Sequence, residues 1–223
     1  MKRQIKLIAA FAAATAALVI TGNAATIAIS TTAPSVDGLD EANLVASTGT
    51  WKWYNDNGRN LGQTFTPGSD ATFTSFTTWL SSSNAAAPDT YSFKVGTISR
   101  PLGVFTFTEI VSEATTQIAD WTGGDYLTWT LDTAMALTGG VEYGVVIEAV
   151  SNGAWQDGIP YTHHGGTGYA GGNGIYGGAI GSPTAQSRDL VFHANLDAVV
   201  IPEPTTTSLL GLGGLALIFR RRK

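Results

Sequence analysis

Tyr91-Ser92-Phe93-Lys94-Val95 sets Tyr91, Phe93 and Val95 on one face and Ser92 and Lys94 on the other. A period of two marks a strand with one face buried and one wet, as antiparallel sheets provide. The pattern extends outward in both directions. Thr72 to Leu80 is rich in threonine and aromatics, Val104 to Ile110 alternates, and so does Tyr126 to Leu131. Glu142 to Val150 and Asp189 to Leu196 follow, and Thr26 to Ser30 opens the series. Turn signals separate these runs: Asn55-Asp56-Asn57-Gly58, Pro67-Gly68-Ser69-Asp70, Gly123-Gly124 and Gly139-Gly140. No window carries a 3.6-residue apolar stripe, and Val111 to Asp120 is the best helical candidate. About eight or nine short strands in roughly 175 residues predict an all-β domain, an antiparallel β-sandwich of jelly-roll type.

Gly153 to Gly181 differs, with 11 glycines in 29 residues. So much glycine predicts a long surface loop rather than a packed strand, serving either as a binding loop or as an excursion without a ligand.

The two ends stand apart from this domain. Met1 to Lys6 is basic, Leu7 to Ile20 is apolar or small, and Gly22 and Ala24 sit at −3 and −1 of a cleavage after Ala24. That is the form of a secretory signal peptide, here 1–24, entering the membrane as a helix. At the other end, Pro202-Glu203-Pro204 precedes an apolar run, Thr205 to Phe219, and then Arg220-Arg221-Arg222-Lys223. As a helix the run spans only ~22 Å against a hydrocarbon core of ~30 Å, and the cations hold its end on the cytoplasmic side. The expected organisation is therefore a signal peptide, a β-sandwich ectodomain over 25–198, and a sorting or anchor segment over 199–223 with a hydrophobic helix.

The tail resembles the PEP-CTERM sorting signal of Gram-negative bacteria, in Pro202, Glu203 and Pro204 and in Arg220, Arg221 and Arg222. The resemblance implies recognition and removal of the tail by an exosortase, transient residence in the inner membrane, and release to the cell surface or extracellular matrix. The ectodomain is similar to the jelly-roll domains that accompany such tails, in Gly62-Gln63-Thr64-Phe65-Thr66, Gly124-Asp125-Tyr126-Leu127-Thr128-Trp129 and Asp189-Leu190-Val191-Phe192-His193. That likeness implies no catalytic residues.

Charge narrows the functional classes. Lys52, Arg59, Lys94, Arg100 and Arg188 are the only cations between the signal and the apolar tail, and all 17 acids lie in that stretch, a net of −12. Such a surface repels nucleic acid, whose phosphates need Lys and Arg. The absence of cysteine excludes disulfides, thiolate metal sites and a cysteine nucleophile.

Candidate chemistry is sparse. The histidines are His163, His164 and His193, and no serine lies in a G-x-S-x-G or S-x-x-K setting. His193 sits in a strand, where a structural role is the expectation, and no spacing supports zinc. No catalytic residue is assigned. Asp37, Asp40 and Glu41 around Gly38 offer oxygen ligands for structural calcium, without the spacing of an EF-hand. No other cofactor is expected. Trp79 and Trp129 belong to strand cores, whereas Trp51, Trp53, Trp121, Trp155, Tyr161, Tyr169 and Tyr176 lie near turns and could form a flat aromatic platform for sugar rings, against the alternative of ordinary packing. The expectation is a non-catalytic surface or matrix protein associated with exopolysaccharide. A carbohydrate-binding module and a secreted hydrolase are the alternatives.

Overall fold

The computed structural model describes residues 24–44, 51–55, 60–81, 91–115, 121–149, 159–163, 168–177 and 183–199. The expected signal helix and C-terminal hydrophobic helix lie outside these residues. Among the described residues there is no α-helix, only a 3₁₀ turn at Pro101–Gly103, and no helix long and apolar enough to cross a membrane.

The described residues form twelve strands: β1 (Ala24–Ser30), β2 (Glu41–Asn43), β3 (Trp51–Asn55), β4 (Asn60–Phe65), β5 (Ala71–Trp79), β6 (Tyr91–Ser99), β7 (Thr106–Thr115), β8 (Tyr126–Leu137), β9 (Tyr143–Ala149), β10 (Ile159–His163), β11 (Gly174–Gly177) and β12 (Phe192–Ala198). Ten form one sheet in the order β11-β4-β9-β6-β7-β1-β8-β5-β12-β2, and β10 pairs with β3 in a separate ribbon. The all-β expectation holds, but the sheet is mixed rather than purely antiparallel. β1 changes partner along its length: Ala24 and Ala25 run parallel to Ala114 and Thr115 of β7, then Thr26 to Ser30 run antiparallel to β8.

Alternation places the core as predicted. Tyr91, Phe93 and Val95 are buried while Ser92 and Lys94 are half-buried, and Leu127, Trp129 and Leu131 alternate likewise in β8. Phe73 and Phe76 are three apart, so a regular strand would aim them to opposite faces. Both are fully buried because the pairing of β5 skips Thr74. On β8 the same irregularity leaves Asp132, Thr133 and Ala134 exposed before Met135 returns to the core. A bulge changes the phase of the side chains, which a strict period of two cannot do.

The centre of the core is aromatic. Phe93 of β6 stacks on Trp129 of β8 at 5.7 Å with planes 1° apart, and Tyr91 meets the same indole edge-on. Phe65 of β4 stacks on Phe73 of β5 at 5.7 Å. Residues from the β4-β9-β6 part of the sheet thus touch residues from the β8-β5-β12 part, and each such side chain stabilises the fold by about 1.5–3 kcal/mol through burial alone.

Two sequence expectations are corrected. The helical candidate Val111 to Asp120 is strand as far as Thr115, with 116–120 outside the described residues; Val111, Ser112 and Ala114 pair with Val95, Lys94 and Ser92. The glycine-rich stretch contains two strands, β10 and β11, rather than loop alone. Gly174 and Ile175 of β11 are buried between β4 on one side and the 184–188 segment on the other. The physical reason is close approach: a Cβ on Gly172 would lie 1.9 Å from the Thr64 carbonyl oxygen. Here glycine permits packing that any side chain would prevent.

Candidate functional site

The 168–173 segment crosses the end of β4 and is fastened there by backbone and side chain together. Thr64 N–H donates to the Asn173 carbonyl at 2.8 Å, Asn173 N–H donates to Thr64 Oγ1 at 2.7 Å, and Thr66 Oγ1 donates to the Gly171 carbonyl at 3.0 Å. Beneath it lies Asp189, which is 1% exposed. One carboxylate oxygen accepts Gly168 N–H and Tyr169 N–H, both at 3.1 Å, and the other accepts Gln63 Nε2 at 2.9 Å. Gln63 is fully buried and in turn accepts Leu190 N–H at 2.9 Å. This buried network satisfies the turn before β12 and the entry to the loop together.

Tyr169 stands at the centre of this end of the molecule. Its ring meets Phe192 edge-on at 5.1 Å, and its hydroxyl donates to Glu41 Oε2 at 2.5 Å. Burial raises the tyrosine pKa, and the hydrogen bond and negative charge of Glu41 raise it further. Burial also lifts the Glu41 carboxyl above its ordinary value, against the opposing effect of the Tyr169 hydrogen bond.

A hollow lies on either side of Tyr169 and Glu41. The larger, about 420 Å³, is lined by Thr66, Arg100, Glu142, Tyr169, the 170–172 backbone and Asn173. Arg100 forks onto Glu142, Nε to Oε2 at 3.3 Å and Nη2 to Oε1 at 2.7 Å, and Nη2 also donates to Asn173 Oδ1 at 3.2 Å. Its guanidinium lies over the Phe105 ring at 5.2 Å. The smaller hollow, about 260 Å³, is bounded by Gly38, Leu39, Asp40, Glu41 and the Pro67–Ser69 turn. Both are open polar surfaces rather than deep apolar pockets.

The structure divides the predicted residues into groups. Trp51, Trp53 and Tyr161 come together in the β3–β10 ribbon, where Tyr161 pairs with Trp53 and His163 with Trp51. Directly paired residues share a face, so these four positions lie on one side of the ribbon. Trp121, by contrast, is buried in the core, and Tyr169 and Tyr176 are partly buried against it. Trp155 and His164 lie outside the described residues, as do Pro202, Glu203, Pro204, Arg220, Arg221 and Arg222.

The three acids predicted for calcium each face a protein donor. Asp37 Oδ1 accepts Leu39 N–H, Glu41 accepts Tyr169, and Asp40 accepts Asp37 N–H and Leu196 N–H. Among the described residues no three His, Asp or Glu side chains converge as metal ligands. Asp40 also meets His193 Nε2 at 2.8 Å, with side-chain exposures of 4% and 3%. Burial pushes the Asp40 carboxyl up, but the Asp37 and Leu196 N–H groups and His193 outweigh it and hold it below its ordinary value. His193 is thus the satisfied strand histidine the sequence suggested, clamping the 31–40 segment onto the bulge of β12.

Sequence reasoning missed Gln63, Asp189, Arg100, Glu142 and Asn173. Two signals were present. Gln63 occupies a core phase between Leu61 and Phe65, and Arg100 is one of only five cations in the ectodomain stretch.

Comparison with known proteins identifies the tail. Residues 200–223 match the family model of the PEP-CTERM protein-sorting motif. No curated protein matches the chain.

Proposed function

We propose that this chain is an exported, non-catalytic surface or extracellular-matrix protein whose ectodomain, a β-sandwich, associates with exopolysaccharide. The observation that carries the reading is the PEP-CTERM motif at 200–223, which implies sorting by an exosortase and an extracellular or cell-surface destination. The sandwich reading is supported by the aromatic stacks of Phe93 on Trp129 and Phe65 on Phe73, which join distant parts of one sheet. The non-catalytic reading is supported by the state of the one described His–Asp pair, since a general base must reach its substrate and both His193 and Asp40 are closed to solvent. Association with polysaccharide is supported by the register of the ribbon, which pairs position 53 with 161 and 51 with 163 and so gathers three aromatic residue types, whose kind stacks on sugar rings, at neighbouring positions. The net negative charge of the ectodomain favours a neutral glycan over an acidic one.

Co-sedimentation of the purified protein with polysaccharide from its own host tests this reading. The expected result is retention by the polysaccharide that falls at least about tenfold with Trp53→Ala, the loss of one or two kcal/mol of stacking. Protein that stays in the supernatant with every fraction of host polysaccharide overturns the association.

A further inference from the structure

The larger hollow contains polar groups that the packing of the fold leaves unused. Arg100 employs Nε and Nη2 on Glu142 and Asn173, and Nη1 has no protein partner among the described residues. The Asn173 side chain uses its oxygen on Arg100, and its Nδ2 likewise has none. Each Glu142 oxygen accepts one bond and keeps a second lone pair. Donors and acceptors therefore alternate over three planar side chains that hydrogen-bond to one another. Because the Arg100–Glu142 pair is neutral as a unit, the hollow offers no net field for an anion.

We propose that this hollow is a subsite for a neutral pyranose unit of a polysaccharide, its hydroxyls bonded by Arg100, Glu142 and Asn173. The inference rests on the polysaccharide reading above and adds a second contact region to the β3–β10 ribbon.

The test is calorimetric titration of the full chain with neutral trisaccharides (cellotriose, mannotriose and a galactotriose), with trigalacturonate and inorganic phosphate as anionic probes. Two variants accompany it. Asn173→Ala removes the free Nδ2 donor together with the Oδ1 acceptor of Arg100 but keeps the bonds of its backbone to Thr64, and Glu142→Ala removes the carboxylate of a part-exposed ion pair, so neither threatens folding. The expected result is binding of at least one neutral trisaccharide, weakened about tenfold by Asn173→Ala and about fivefold by Glu142→Ala. No binding of any neutral trisaccharide, equal binding by both variants, or tighter binding of an anionic probe overturns the subsite. Co-sedimentation separates this failure from that of the parent reading. If both variants stay with host polysaccharide while Trp53→Ala is released, the hollow is rejected and the association stands; if wild-type protein is not retained, both fall.

Discussion

Replacing Asp189 should loosen the whole 168–173 segment, and the size of the effect follows from three hydrogen bonds. Asp189→Ala removes the acceptor for Gly168 N–H, Tyr169 N–H and Gln63 Nε2. Gly168 is exposed and Tyr169 half-buried, so water can recover part of two of these bonds, but Gln63 is fully buried, and the N–H it aims at Asp189 would be stranded while Nε2 keeps its bond to the Thr64 carbonyl at 3.1 Å. Bonds to a charged acceptor contribute about 1.5–3 kcal/mol each, which after partial recovery gives a loss of about 3–5 kcal/mol for Asp189→Ala. With Asp189→Asn, one oxygen can keep both backbone donors, but the new NH₂ meets the NH₂ of Gln63. Gln63 cannot simply flip, because its Oε1 holds Leu190 N–H. That variant should cost about 1.5–3 kcal/mol. At about 2–4 °C per kcal/mol for a domain of this size, the melting temperature falls by roughly 6–20 °C for alanine and 3–12 °C for asparagine. Thermal unfolding gives the totals, and amide hydrogen exchange locates them at Gly168 to Asn173 ahead of the rest of the fold. The reasoning is refuted if both variants lose less than about 1 kcal/mol, or if exchange at Gly168 and Tyr169 is unchanged.

Three further outcomes follow from the packing. Gly172→Ala drives a methyl into the Thr64 carbonyl, and should cost about 2–4 kcal/mol in urea unfolding because the two bonds between the Asn173 backbone and Thr64, one to its N–H and one to its Oγ1, are lost with the displacement. Asp40 has a depressed carboxyl pKa, so it contributes stability that is present above its unfolded value near 3.8 and is lost as pH falls through the folded one. Urea midpoints measured from about pH 6 to about pH 2 should therefore fall more steeply for wild type than for Asp40→Asn; parallel curves would contradict the clamp on β12. Trp129 Nε1 is buried without a hydrogen-bond partner among the described residues, so Trp129→Phe should lose less than about 1.5 kcal/mol in chemical denaturation, whereas Trp129→Ala loses about 3–5.

Much of the fold was legible because alternation is a local property. The phase of Tyr91, Phe93 and Val95 needed no partner strand to be read, and the burial of Trp129 followed from its neighbours Leu127 and Leu131. What failed was information held between distant residues. Glycine content in Gly153 to Gly181 suggested a long surface loop, yet Gly172 is small because Thr64, more than a hundred positions earlier, passes beneath it. The parallel contact of β1 with β7, and the skipped Thr74 that admits both Phe73 and Phe76, depend on pairings no single segment encodes. Trp53 and Tyr161 do meet in register, while Trp121, with the same turn-side setting in sequence, faces the core. The polar hollow was hidden for a similar reason, since Arg100, Glu142 and Asn173 come from three separate connections.

Intact mass of the protein recovered from its native host, taken separately from membranes and from medium, tests the central claim most directly. Export and exosortase sorting predict a released species lacking Met1 to Ala24 and everything beyond about Pro204, the boundary set by the sorting motif at 200–223. A species in the medium or at the surface that still carries Arg220 to Lys223 would contradict removal of the tail and leave only an uncleaved anchor.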